Sequence, residues 1–193
     1  KKYRFIATVF VSTDFVDKRS IVRTRLDKKQ LNDVSLGSWW GYLSWEELRE
    51  MDQSGCFDIQ GHAQTHTWNY CSDEIVDFHT HGDKYYWLWW NAFPEKKPYW
   101  LTEYKDDDIP VGTPVMRYGK ALAEKKFIVN PEIISFSVEF ANENKFLINT
   151  NDKSVLKKII YEKYHGNIGE FENNEDYINR LNEEIVISKL EVE

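Results

Sequence analysis

The segment Ser44–Gly55, SWEELREMDQSG, constrains the fold more than any other stretch of the chain. Ser44 is placed as an N-cap whose hydroxyl meets the backbone three positions on, and Glu47 at that position can return the bond. Leu48 and Met51 then fall on one face, and Gly55 ends the helix. A helix with one apolar face needs something to cover, and its flanks supply it. Phe5–Val11, within YRFIATVFVST, is nearly all apolar and rich in β-branched and aromatic residues, which predicts a parallel strand covered on both faces. Cys56–Gln60, CFDIQ, places Phe57 and Ile59 in alternation and predicts a short second strand. Strand, helix and strand in this order predict an α/β fold, with polar groups carried on the loop that leaves the second strand.

With 193 residues, 41% of them hydrophobic, the chain is long and apolar enough for one domain with a core. A net charge of -7, with Lys and Arg scattered among acids, repels phosphate backbones, so no nucleic acid is expected as a partner. Cys56 and Cys71 lack CxxC spacing, which leaves a single pairing or two free thiols open and argues against a cysteine zinc site. No apolar run approaches the roughly 20 residues of a membrane helix, and no signal-peptide pattern opens the chain. Because it begins at Lys1, the chain is read as a piece of a longer one, and the compartment stays open.

Asp17 to Leu36 is polar and without sustained periodicity, as in a loop or a loop holding a short helix. All eight tryptophans fall between Trp39 and Trp100, and YYWLWW, Tyr85–Trp90, is too aromatic for an ordinary solvent loop. KDDDIPVGTP, Lys105–Pro114, is expected as an insertion loop. ISFSVEF, Ile134–Phe140, is expected as a strand. Leu156, Ile159, Ile160 and Tyr164 have helical spacing before Gly166. A last helix from about Asn174 uses Tyr177, Ile178, Leu181, Ile185 and Ile187 and runs close to Glu193.

GHAQTHTW, Gly61–Trp68, sets His62 and His66 four positions apart, directly after the second predicted strand. Neutral imidazole is the commonest protein ligand for zinc, and such a pair can converge on one ion. Two ligands do not complete a site, so a further carboxylate or histidine has to come from elsewhere; the alternative is two partly exposed loop residues. The HExxH protease pattern is excluded by Ala63. In FHTHG, His79 and His81 would share one face of a strand and could chelate, or could simply form a polar face. Asp106–Asp108 could bind a cation or be a solvated loop.

The order of a strand ATVFV, a capped helix and a histidine motif in YLSWEELREMDQSGCFDIQGHAQTHTW resembles the polysaccharide deacetylase family, the NodB-homology or carbohydrate esterase 4 domain. The match runs from Tyr3 to Trp68 and is loose beyond. It implies a partial, irregular (β/α) barrel: a single incomplete domain over residues 1–193, with an aromatic-rich insertion at approximately 77–130. It makes His62 and His66 ligands of a divalent metal, zinc first, with cobalt or nickel as alternatives. Ala63 stands where the family has Ser or Thr, which removes a hydroxyl but no ligand; Thr65 and Thr67 are candidates to replace it. The implied partner is an N-acetylated sugar or glycan, with Trp68 as a candidate stacking residue, although clustered aromatics more commonly form core.

The resemblance implies hydrolysis of an acetamido group, the metal lowering the pKa of its water toward ~7 while an aspartate and a later histidine move protons. The family's first motif, of T-F-D-D-G type, supplies the base and the third ligand ahead of the strand matched by ATVFV, and the chain is expected to begin too late to hold it. Asp14 and Asp17 follow that strand and are not assigned to the motif. The later motifs are not found, and His165 has Lys163 where Leu is expected two positions before it. No catalytic residue is therefore assigned. A catalytically silent carbohydrate-binding or interaction module on the same fold, or a domain acting on another amide, remains the alternative reading. A cell-surface or secreted location is implied, as is completion of exposed strand edges by missing parts of the domain or by an oligomer. The chain by itself is expected to release no appreciable acetate from an N-acetylglucosamine oligomer, which an acetate-release assay without added polypeptide checks.

Overall fold

The computed structural model describes residues 5–23, 41–145 and 153–193. Most of the polar stretch Asp17–Leu36, together with Trp39 and Trp40, lies outside the described residues. The protein is mixed α/β. Its strands are β1 (Ala7–Val11), β2 (Phe57–Gly61), β3 (Trp68–Phe78), β4 (Pro114–Lys120), β5 (Phe127–Val129) and β6 (Gly169–Phe171). Its helices are α1 (Trp45–Gln53), α2 (Trp87–Ala92), α3 (Trp100–Glu103), α4 (Pro131–Glu143), α5 (Ser154–Lys163) and α6 (Asn174–Val192). Two compact units form: Lys1–His66, Phe93–Tyr104 and Asn182–Glu193 make the first, and Thr67–Ala92 and Lys105–Leu181 the second.

In the first unit, β1 and β2 pair in parallel, Val9 opposite Ile59 and Val11 opposite Gly61, with α1 in the connection between them. The expected capping box is present: Glu47 N–H donates to Ser44 Oγ at 3.2 Å, and Ser44 N–H to Glu47 Oε2 at 2.8 Å. Leu48 of α1 packs with Val11 and Val16, flanked by Val9, Trp45 and Ile59. The expectation that both faces of β1 are covered is corrected. Side chains alternate across a strand, and α1 covers only the face of Val9 and Val11, so Phe10 on the other face is 65% exposed; Phe5, just before the strand, is 84% exposed.

Asp17 ties the chain after β1 to the start of α1. Its N–H donates to Leu43 O at 2.9 Å, while its carboxylate, 1% exposed, accepts from Arg19 Nη2 at 2.6 Å and Arg23 Nη2 at 2.8 Å. Arg23 Nη1 also donates to Glu47 Oε2 at 2.6 Å, which links the network to the cap. Burial by itself would raise the Asp17 carboxyl, but the side-chain and backbone bonds from Arg19 and the charges of Arg19 and Arg23 outweigh it and hold the group below its ordinary 3.8.

In the second unit, β3 and β4 are antiparallel, β5 pairs with β6, and the core gathers Ile75, Phe78, Met116, Phe127, Ile133, Leu156 and Ile160. The pairing of β3 is irregular between Tyr70 and Ile75. There Tyr161 Oη mends the ladder, accepting from Ile75 N–H at 2.9 Å and donating to Asp73 O at 2.8 Å. The aromatic run does find cover: Trp87, Trp89 and Trp90 on α2 are buried, and Trp87 lies 5.0 Å from Tyr118 and 5.6 Å from Tyr70 between ring centres.

Ile134–Phe140, expected as a strand, lies inside α4. Asn130 caps the helix, its side chain accepting from Glu132 N–H at 3.0 Å, and Pro131 occupies the first turn. The residues buried along it are Ile133, Ser137 and Ala141, a spacing of four, whereas the alternation of Ser135 and Ser137 with apolar residues imitated a strand. The expected helices α5 and α6 are present. On α6 the expected apolar stripe is corrected, because Glu184 and Ser188 are buried while Ile178 and Ile185 are exposed. Gly61 makes room for that polar face: a Cβ there would sit 2.7 Å from Ser188 Oγ.

Arg23 keeps Glu47 and Arg19 is largely solvated, so Asp17→Asn loses charge-assisted hydrogen bonds rather than stranding a charge and should lower stability by about 1.5–3 kcal/mol in urea unfolding. Because the folded pKa lies below the unfolded one, the Asp17 contribution is complete above the ordinary 3.8 and disappears as pH falls through the lower folded value. The variant should therefore lose part of the wild type's acid sensitivity in that range.

Candidate functional site

Val11 O accepts from His62 N–H at 2.8 Å, which carries the β1–β2 pairing one residue past the end of β2. The chain then turns sharply, with Ala63 at φ 71° and His66 at φ 42°, a region that non-glycine residues seldom occupy and that persists where surrounding contacts enforce it. The enforcement comes from three segments of the same unit. Asp14 N–H donates to Gln64 O at 3.1 Å. Glu184 Oε2 on α6 accepts from Gln64 N–H at 3.1 Å and Thr65 N–H at 2.8 Å, and Glu184 Oε1 accepts from the Thr65 hydroxyl. Lys97 Nζ donates to Thr65 O at 2.6 Å. Every backbone polar group of Gln64 and Thr65 thus has a partner outside the turn.

This turn, rather than a helical one, brings His62 and His66 together. Their ring centres are 5.2 Å apart with the planes inclined at 40°, and Phe10 lies 6.0 Å from the His62 ring. Two imidazoles bound to one tetrahedral ion at metal–nitrogen distances of about 2.1 Å have ring centres about 5 Å apart, a separation close to that of His62 and His66. Both residues are exposed. Among the described residues no set of three His, Cys, Asp or Glu side chains is placed to hold a metal, and no third such group joins the pair. The hydroxyls proposed to replace that of a Ser or Thr at position 63 are engaged elsewhere: Thr65 on Glu184, and Thr67 on Asn91 Oδ1 at 2.8 Å within the second unit.

Lys97 and Glu184 are the residues that sequence reasoning missed. Lys97 is 1% exposed, with Asp14 Oδ2 3.2 Å from its Nζ and the Phe15 ring centre 5.2 Å away. Burial pushes its ammonium pKa down, and the charges of Asp14 and Glu184 oppose this incompletely. The signals were present but faint: a lysine flanked by prolines and aromatics in PEKKPYW, and a polar Glu184–Ser188 pair at helical spacing among apolar residues.

The other candidates lie in the second unit and do other work. His79 and His81 follow β3 rather than alternating on it. His79 is buried with Nδ1 2.8 Å from Asp83 Oδ2, whereas His81 is largely exposed with Nε2 3.5 Å from Asp107 Oδ1, so they share no face. Burial would raise the Asp83 carboxyl, yet the contact with His79 and the N–H groups of Thr80 and Tyr85 hold it below its ordinary value. The carboxylates of Asp106–Asp108 serve separate partners: Asp106 accepts from Gly82 N–H, Asp107 lies beside His81, and Asp108 accepts from Trp89 Nε1 at 2.7 Å. Trp68 begins β3 and packs against its own unit, its ring centre 6.1 Å from that of Trp90, with Lys120 Nζ 4.7 Å above the ring. Cys56 and Cys71 are free thiols.

No family model matches the chain, and no curated protein or solved structure is significantly similar to it.

Hydrogen bonds to a charged group contribute about 1.5–3 kcal/mol each, and a stranded buried donor adds its own penalty. Glu184→Ala should therefore lower stability by about 3 kcal/mol or more, measured by denaturant unfolding, with Glu184→Gln costing less because it keeps an acceptor at the turn.

Proposed function

We propose that this chain belongs to a metal-dependent hydrolase of the polysaccharide deacetylase type, in which His62 and His66 are two ligands of a divalent metal, zinc first and cobalt or nickel in its place. The observation that carries the reading is the 5.2 Å spacing of the two rings on a turn at the carboxyl end of a parallel strand. Loops at that end are where α/β folds place their chemistry. The β1–α1–β2 unit is of the kind from which an irregular (β/α) barrel is assembled.

The substrate that fits this reading is an N-acetyl group on a sugar or glycan. A bound divalent ion would polarise the acetamide carbonyl and acidify water. The residues of this chain hold that ion on one side. His62 is anchored through its own N–H to β1, and His66 through the peptide that joins it to Thr65, so the backbone from which each imidazole projects is held in place. The remaining ligand and the proton-transfer groups are assigned to no described residue.

Zinc titration followed calorimetrically should show one site, and His62→Ala should weaken it at least about tenfold while leaving the unfolding transition in place. Unaltered zinc affinity in that variant would remove the basis of the reading, and glycan binding that persists in a chelator would favour a silent binding module.

A further inference from the structure

A lysine is rarely buried completely unless its charge is paired. Lys97 meets that condition through Asp14, but its shorter bond, 2.6 Å against 3.2 Å, goes to a backbone carbonyl. That carbonyl belongs to Thr65, the residue immediately before His66. Asp14 grips the same place by another route, donating its own N–H to Gln64 O at 3.1 Å. The result is a closed circuit: Asp14 backbone to Gln64, Thr65 carbonyl to the Lys97 ammonium, and ammonium back to the Asp14 carboxylate. The Thr65 carbonyl lies in the peptide plane from which His66 departs at φ 42°, so whatever fixes that oxygen fixes where the His66 side chain begins.

We propose that Lys97 is a positioning residue for the histidine pair: by holding the Thr65 carbonyl against Asp14 it sets the peptide plane ahead of His66 and keeps the two imidazoles at chelating distance. The metal consequence rests on the function proposed above, whereas the positioning itself does not. Glu184 secures the two N–H groups of the same turn and leaves its last carbonyl to Lys97, so the two side chains divide the task rather than duplicate it.

The test uses the whole chain and two readouts. In metal-free protein, amide hydrogen exchange at Gln64, Thr65 and His66 should accelerate at least about tenfold in Lys97→Met, while Leu48 in α1 is unchanged. In zinc titrations the same variant should bind about 10- to 100-fold more weakly than wild type. Exchange that is unchanged at the turn, or that rises equally at Leu48, overturns the positioning role. Should the wild type bind no zinc, the proposed function fails and the exchange readout alone decides on Lys97. If Lys97→Met does not fold, Lys97→Gln, which retains a donor, takes its place with a smaller acceleration. In the wild type itself Gln64 and Thr65 must exchange as slowly as Leu48, and rapid exchange there overturns the proposal without any variant.

Discussion

A turn that leaves a parallel strand with two side-chain-bearing residues at positive φ cannot satisfy its backbone from within. Gln64 and Thr65 present two N–H groups and two carbonyls that continue neither β2 nor a helix, and burying such groups without partners is expensive. The Glu184 carboxylate answers the donors, and Lys97 and Asp14 answer the acceptors. Three segments distant in sequence are thereby committed to one place: the stretch after β1, the short 3₁₀ turn Pro94–Tyr99 and the last part of α6.

That commitment explains features that otherwise conflict with ordinary packing. An amphipathic helix normally buries its apolar stripe. Over its last turns α6 instead buries Glu184 and Ser188, because the surface it meets carries backbone donors and a side-chain-free Gly61, and Ile185 and Leu190 are left exposed. Lys97, between Lys96 and Pro98, is likewise drawn inside in a chain with ample apolar residues to fill a core.

What the sequence made legible follows the range of the interactions involved. Ser44, Glu47 and Gly55 act within a few positions of one another, so the boundaries of α1 and the strand after it could be read directly. The histidine pair was legible as a pair, since four positions and a preceding strand confine it to one turn. Ile134–Phe140 misled because serines alternate with apolar residues there, and the cap that decides the matter, Asn130 with Pro131, lies just upstream. Glu184 and Lys97 were out of reach for a different reason: their partners are 120 and 32 positions away, and no local pattern announces a carboxylate that will meet a turn, or an ammonium that will meet a carbonyl. The exposure of Phe10 was hidden in the same way, because a run of apolar residues states that a strand wants cover without saying which face receives it.

The charges around the turn also bear on why the site is polar at all. An isolated buried ion pair can often be replaced by well-packed apolar residues at little cost, so such a pair is weak evidence for stability. Here that exchange is not open. Apolar residues at positions 97 and 184 would leave the Thr65 carbonyl and the Thr65 N–H without partners and Gln64 N–H with the Glu184 carbonyl alone, at 3.2 Å, and the positive φ at Ala63 and His66 would lose much of what enforces it. Lys97 and Glu184 therefore hold the turn in the conformation from which the His62 and His66 rings stand 5.2 Å apart, besides the stability their bonds contribute.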